Sequence, residues 1–272
     1  MVNNKIKTIF VSFGAGRTGW RQAAHRITRE AQATGLFSEA ISLDEEWLKS
    51  FEPKIYKIVM QFRARNLYKG FGYMTWKPAV LHWAKKTFPQ ANILYMDSGS
   101  HIDKSQYQID RFKDLLRRNS EIGLAWRLPF HKEISWSKKE LLIKLSASEI
   151  ILQSGQIQSG FIYIPNNSFS TELISTWSEL AMEKNGFYFS DELEISQNNQ
   201  FIAHRHDQSS FSILWKLLGF GVQDDLTYPE NLRMYPIVAV RNNTGLSATA
   251  GNKALAMARN FNLAKDKVLK RV

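Results

Sequence analysis

Cysteine is absent from this chain of 272 residues. Disulfides and thiolate metal sites are therefore excluded, and a bound metal would have to rely on Asp, Glu or His. No stretch approaches the roughly 20 apolar residues of a membrane-spanning helix. The opening MVNNKIKTIFVSFGAG has too short an apolar run for a secretory signal. The expectation is a soluble, cytoplasmic protein. Internal repeats, low-complexity segments and linkers are also missing, so residues 1–272 read as a single domain. Acidic residues are absent from Pro53 to Met96, where Lys54, Lys57, Arg63, Arg65, Lys69, Lys77, Lys85 and Lys86 fall. The formal net charge is +11, and the tail from Asn252 adds six basic residues against Asp266. Such a surface favours anionic partners: nucleotide phosphates, nucleic acid or an acidic membrane face.

Hydrophobic residues make up 44% and charged residues 22%, enough for a full core. The most informative stretch runs from Gly72 to Gly99. Pro78 suits the first turn of a helix, and the residue before a proline is pushed out of the α region. Lys77 is thus expected at the helix mouth, where free N–H groups and the positive dipole end hold anions. Phe88-Pro89 closes that helix. Asn92 to Met96 reads as a short buried strand ending at Asp97-Ser98-Gly99, a carboxylate followed by a turn. Equally, Trp-Lys-Pro can be a plain helix start and Asp97 a turn acid.

Along the rest of the chain, Ile6 to Ser12 reads as a first, central strand, followed by the loop Phe13 to Gly16. GAGRTG is glycine-rich without being a P-loop or a full dinucleotide fingerprint. Helices are expected at Trp20–Ala33, Asp44–Phe51, Gln106–Asn119, Thr171–Lys184 and His206–Leu218. Strands are expected at Phe37–Ser42, Ile122–Trp126, Phe161–Ile164 and Ile237–Val240. Ser137-x-x-Glu140 reads as a capping box opening a helix from Lys138 to Leu145. A terminal basic helix is expected within about 252–272. Alternating strands and helices argue for a layered α/β domain with a central mixed, mostly parallel sheet.

Three further stretches carry polar chemistry. His204-Arg205-His206-Asp207-Gln208-Ser209 opens a helix, and Asp207 suits its first turn. A histidine here can ligate a metal, and Asp207 can act as a general base or orient a hydroxyl. His131-Lys132-Glu133, with Trp136 and Lys138, reads as a polar or substrate-binding loop. Gln153 to Gly160 reads as a small-residue lead-in that lets a ligand approach the backbone. Trp76, Trp126 and Trp136 lie near these polar motifs. Trp177 and Trp215, inside helices, read as packing.

The ordered set Gly72-Tyr73-x-x-Trp76-Lys77-Pro78, Leu94-Tyr95-Met96-Asp97-Ser98-Gly99, Glu133-x-x-Trp136-x-Lys138, Gln156-x-x-Ser159-Gly160 and His206-Asp207-Gln208-Ser209 resembles bacterial glycosyltransferases. These have the GT-A, nucleotide-diphospho-sugar transferase fold and serve capsule, lipopolysaccharide or other surface-glycan synthesis. The resemblance covers roughly residues 6 to 240. It implies transfer of a sugar from a nucleotide-sugar donor, a UDP-sugar, to a glycan or lipid-linked acceptor, with Mn²⁺ or Mg²⁺. In that family a DxD motif binds the metal and the donor diphosphate. Asp97 matches its first acid, whereas Gly99 stands at its third position. Asp103, or a histidine of the His204-Arg205-His206 run (His204 or His206), then becomes the substitute ligand. By the same resemblance, Gly14 and Arg17 would line the nucleotide and Lys77 would neutralise a phosphate. Trp76, Ser98, Gly99 and Gln208 would complete the donor site, while Asp207 and His206 would serve the acceptor. Peripheral contact with an anionic inner membrane face is a further expectation. Nucleic acid is not expected as a partner, although a basic nucleic-acid-binding protein is the alternative reading of the charge.

Overall fold

The structure is a computed structural model, and it describes residues 7–65, 67, 69–224 and 236–239. In chain order the elements are β1 (Lys7–Phe13), α1 (Thr18–Ala33), β2 (Glu39–Leu43), α2 (Glu45–Phe51), α3 (Pro53–Ala64), α4 (Gly70–Tyr73) and α5 (Lys77–Thr87). Then come β3 (Ala91–Met96), β4 (Ser100–Ile102), α6 (Gln106–Arg118), β5 (Leu124–Lys132), α7 (Glu133–Trp136), α8 (Lys139–Lys144) and α9 (Glu149–Gln153). β6 (Gly155–Ile164), α10 (Ser168–Met182), a 3-10 segment (Glu183–Phe189), α11 (Asp207–Leu217), β7 (Val222–Asp224) and β8 (Ile237–Ala239) follow. The expected terminal helix lies outside the described residues.

Six strands form one mixed sheet in the order β2-β1-β3-β6-β5-β7. β1 runs parallel to both β2 and β3, whereas β6 is antiparallel to β3 and β5. β4 pairs with β8 in a small separate ladder. The expected α/β class and the interior position of the Asn92–Met96 strand both hold.

Side-chain alternation explains why both faces of the sheet are covered. Ile9, Val11, Ile93, Tyr95, Ile162 and Ile164 enter one core with α5, α10 and α11. Their strand neighbours Phe10, Leu94, Met96, Phe161 and Tyr163 enter a second core with Ile27 and Ala31 of α1 and Phe112 and Leu116 of α6. Successive residues of a strand point to opposite faces, so a strand buried on both sides reads as an uninterrupted apolar run. Ile-Leu-Tyr-Met of β3 is such a run. Trp177 and Trp215 are fully buried, as expected, but so is Trp126, which stacks on Phe161 with ring centroids 4.9 Å apart.

Two sequence expectations are corrected here. β6 begins at Gly155 rather than Phe161, so Gln156 to Gly160 is strand and not a lead-in. Ser137 does not cap the following helix: its hydroxyl donates to Glu133 Oε2 at 2.6 Å, and Lys138 stands at the N-cap without a side-chain bond. Glu140 instead accepts from the Glu194 and Ile195 amides. The Ser137 hydroxyl is turned back to Glu133 and accepts from none of the free amides of the following helix.

Part of the acid-free basic stretch is paired with acids from outside it. Arg63 pairs with Glu45, Arg65 with Glu192 and Lys69 with Asp191. Lys85 donates to Asn166 Oδ1. A surface paired in this way is not a continuous phosphate-binding stripe, which disfavours the nucleic-acid reading. Among the described residues no helix is long and apolar enough to cross a membrane.

Candidate functional site

The site lies at the carboxyl end of β3, where open α/β sheets bind ligands. Asp97 follows the strand directly. Its amide donates to the Gly160 carbonyl at 2.9 Å, and its carbonyl accepts from Ser100 N. The Asp97-Ser98-Gly99 turn is held from below by α1. Arg26 is fully buried and donates to the Ser98 and Ser100 carbonyls at 2.7 and 2.9 Å. Glu30 pairs with Arg26, accepts from the Ile102 amide and contacts His101. Ser98 and Gly99 are consequently buried, and only the Asp97 side chain opens outward.

Three expected residues meet there. The Lys77 ammonium lies 2.6 Å from Asp207 Oδ2 and 3.1 Å from Asp97 Oδ1. It also donates to the Ser159 carbonyl at 3.1 Å. Ser159 Oγ donates to Asp207 Oδ2 at 2.6 Å, and Tyr95 OH donates to Asp97 Oδ1 at 2.8 Å. The Lys77 side chain is 1% exposed and that of Asp207 4%, whereas that of Asp97 is 45% exposed. Burial opposes the charge on Lys77, yet Asp207 and Asp97 together hold it above the ordinary lysine value. Burial, reinforced by Asp97, drives the Tyr95 hydroxyl well above its usual value, so it stays a hydrogen-bond donor.

This geometry revises the expected roles. Lys77 does sit at the first position of α5, but its ammonium points into the protein and is occupied by two acids, so it is not an open phosphate anchor. Asp207 is buried with both short bonds on one oxygen, which leaves it a poor base for an incoming hydroxyl. Asp97 is the accessible carboxylate. Its Oδ2 faces Gly160, where a β-carbon would come within 3.1 Å of it and 3.4 Å of Gln158 Oε1. Tyr95, Ser159, Gly160 and Arg26 complete the site, and none of these roles was assigned from the sequence except the close backbone approach near Gly160.

The remaining expected residues are placed elsewhere or serve packing. Gly14 is buried and serves the close approach of α1, since a β-carbon there would stand 2.1 Å from the Trp20 carbonyl. Trp76 stacks on Phe13 at 4.1 Å and donates to the Gly70 carbonyl. Gln208 is buried, with its amide 2.7 Å from that of Gln156. Arg17 is exposed at the start of α1, in the loop after β1 that opens at the same sheet edge as Asp97. His206 is the N-cap of α11 at φ 55°; its Nδ1 donates to the Phe189 carbonyl and its ring packs on Tyr73. Just before Lys77, Gly70, Phe71, Gly72, Tyr73 and Met74 all have positive φ. Backbone strain of this kind persists only where the surroundings enforce it, and it concentrates near functional sites.

The expected metal ligands do not assemble. Both His204 nitrogens are engaged, Nδ1 accepting from the Lys138 amide and Nε2 donating to the Tyr188 carbonyl. Asp103 Oδ1 accepts from the Ser105 amide. Among the described residues, no group of three His, Asp or Glu converges on a common point. The residues present do not fit a protein-held metal.

Burial keeps the histidines near this site neutral. It pulls His204 well below the ordinary value and lowers His206, while His131 falls to about 4 through burial and the nearby Arg205. Below about pH 6.5 the unfolded chain therefore binds protons that the folded chain refuses, so stability falls with pH. A thermal melt at pH 5 is expected to show a midpoint below that at pH 7 by at least about 2–4 °C, the equivalent of about 1 kcal/mol. Equal midpoints would reject the neutral, buried state of these rings.

No protein-family model matches the sequence, and no curated protein matches it. Among solved structures, the chain is similar to a glycosyltransferase involved in the glycosylation of the major capsid of PBCV-1. The identity is 12% and the TM-score 0.48, covering 92% of this chain and 98% of that one. It is similar to mouse xyloside xylosyltransferase 1 in its apo form, at 11% identity and TM-score 0.41, over 82% and 87% of the two chains. It is also similar to the glycosyltransferase GlyE of Streptococcus pneumoniae TIGR4, at 13% identity and TM-score 0.39, over 89% of this chain and 55% of that one. All three are glycosyltransferases.

Proposed function

We propose that this chain is a glycosyltransferase. It takes a nucleotide-diphosphate sugar, of the UDP type, at the carboxyl ends of β1 and β3, and passes the sugar to a hydroxyl of a glycan or lipid-linked acceptor. The observation that carries the reading is the Asp97 carboxylate. One of its oxygens is fixed by Tyr95 and Lys77, and the other faces the open backbone of Gly160. A carboxylate locked on one side and accessible on the other suits recognition of sugar hydroxyls. In the transfer, the acceptor oxygen bonds to the anomeric carbon. The bond to the diphosphate breaks with its electron pair, and the hydroxyl proton leaves to a carboxylate or to water. Asp97 is the carboxylate placed to take or orient that proton, and Asp207 supports it through Lys77.

Thermal shift tests the reading, because a ligand that binds only the folded form raises its midpoint. UDP and UDP-sugars are expected to raise it, and a single-stranded oligonucleotide is not. Gly160→Ala sets a methyl group against Asp97 Oδ2 and is expected to reduce the shift from a UDP-sugar more than that from UDP. No shift with any nucleotide-sugar, together with a salt-sensitive shift from the oligonucleotide, would replace the transferase reading with nucleic-acid binding.

A further inference from the structure

Four oxygens surround one buried ammonium at the centre of the site. Asp207 Oδ2, Asp97 Oδ1, the Ser159 carbonyl and Ser159 Oγ lie 2.6, 3.1, 3.1 and 3.4 Å from Lys77 Nζ. An ammonium has three N–H donors, and this one has an acceptor for each. The two carboxylates converge on a single point, as acids do around a cation, and lysine fills that point. Residue 99, where the resemblance places a second acid, is a glycine and contributes no oxygen from a side chain. A divalent ion seeks six or more oxygen ligands. Beside Asp97 it would meet a carboxylate whose inner oxygen is already shared by Tyr95 and Lys77, and it would meet a like charge.

We propose that the Lys77 ammonium is the resident cation of this acid pair, held where a divalent ion would otherwise bridge Asp97 and Asp207, so that nucleotide-diphosphate binding by this chain does not depend on metal. The inference rests on the transferase reading for its ligand, but not for its geometry. The sequence builds the position deliberately. Trp76 is clamped between Phe13 and the Gly70 carbonyl, which fixes the start of α5. Pro78 lies in its first turn, where its missing N–H costs no hydrogen bond. The Lys77 ammonium lies 5.3 Å from the centroid of the Tyr95 ring, so the charge rests against an aromatic wall. Diphosphate charge then falls to exposed groups such as Arg17, ahead of an α1 whose first turn contains no acid.

Two measurements on the full chain decide it. The first is titration calorimetry of UDP after exhaustive chelation, repeated with saturating Mn²⁺ or Mg²⁺. The affinities are expected to agree within about twofold, and a gain of about tenfold or more with metal would overturn the proposal. The second uses Mn²⁺ alone, read by electron paramagnetic resonance. The wild-type chain is expected to leave the free-ion signal unchanged. Lys77→Ala empties a pocket walled by two carboxylates and a carbonyl, and that variant is expected to capture the ion and to melt higher in its presence. Stoichiometric Mn²⁺ on the wild-type chain would overturn the proposal whether or not the variant folds. If UDP binds under neither condition, the transferase reading fails, and the Mn²⁺ titration still decides the identity of the cation. If UDP binds only with metal, the transferase reading stands and the resident-cation proposal falls.

Discussion

Lys77→Met is expected to destabilise the fold by about 3–5 kcal/mol, the usual consequence of leaving one member of a buried ion pair alone. The methionine fills most of the lysine volume, so the loss is electrostatic rather than a cavity. Asp207 would keep only the Ser159 hydroxyl, at 2.6 Å, while its side chain remains 4% exposed. Asp97 is less affected because it reaches solvent. The double variant Lys77→Met with Asp207→Asn removes the stranded charge. It is expected to recover about 1–3 kcal/mol relative to the sum of the single changes. The sign with pH follows from the raised lysine value. A group held above its unfolded value contributes fully below that value and loses its contribution only as pH rises through the folded one. The stabilisation is thus complete at neutral pH and fades only in strong alkali. Urea unfolding of the two single variants and the double variant measures the coupling. Strict additivity would show that Lys77 and Asp207 do not act as a pair.

The same cluster shows how far the residues alone could be read. β3 was legible because a doubly buried strand leaves an uninterrupted apolar run, and Asp97 was legible because an acid ends that run. The start of α5 was legible from Pro78. The direction of the Lys77 side chain was not, because whether a first-turn lysine faces water or core depends on Asp207, more than a hundred residues later. Arg26 and Glu30 look like an ordinary exposed pair at i,i+4 spacing on a helix, yet both are buried beneath β4. Nothing local distinguishes the two cases, since the partner is the turn and strand at residues 98–102, some seventy residues further along. β6 was read short because Gln156, Ser159 and Gly160 are poor strand formers. Tertiary bonds compensate: Ile157 N donates to Ser212 Oγ at 2.6 Å, and the Gly160 carbonyl accepts from Asp97. The expected capping box fails for a local reason, since the Ser137 hydroxyl turns back to buried Glu133, four residues earlier. Glu133 also accepts from Lys216 Nζ at 2.7 Å, which ties α7 to α11. For Lys77, Arg26 and β6, a polar group is satisfied across the fold rather than along the chain.

Asp97→Asn is expected to give a stable protein whose sugar transfer falls by about 10²-fold or more, the range that general acid–base or orienting groups supply. The fold survives because an asparagine oxygen can still accept from Tyr95 and Lys77, while Lys77 retains Asp207 as its counter-charge. The side chain is also 45% exposed, so no buried charge is stranded. Chemistry suffers because the group facing Gly160 changes from an anionic oxygen to an amide that donates. Such a group neither takes a proton from an acceptor hydroxyl nor accepts a hydrogen bond from a donor sugar. Tyr95→Phe, which removes one of the two bonds fixing the inner oxygen, is expected to give a smaller loss through misalignment of Asp97. Asp207→Asn should behave in the opposite way to Asp97→Asn. It removes a buried partner of Lys77, so its melting midpoint falls first and its activity falls with the folded fraction. The two aspartates are separated by measuring turnover of a UDP-sugar and thermal midpoint on each purified variant. Asp97→Asn that melts like the wild-type chain and turns over at an undiminished rate would reduce Asp97 to a turn residue. It would also remove the carboxylate on which the proposed chemistry depends.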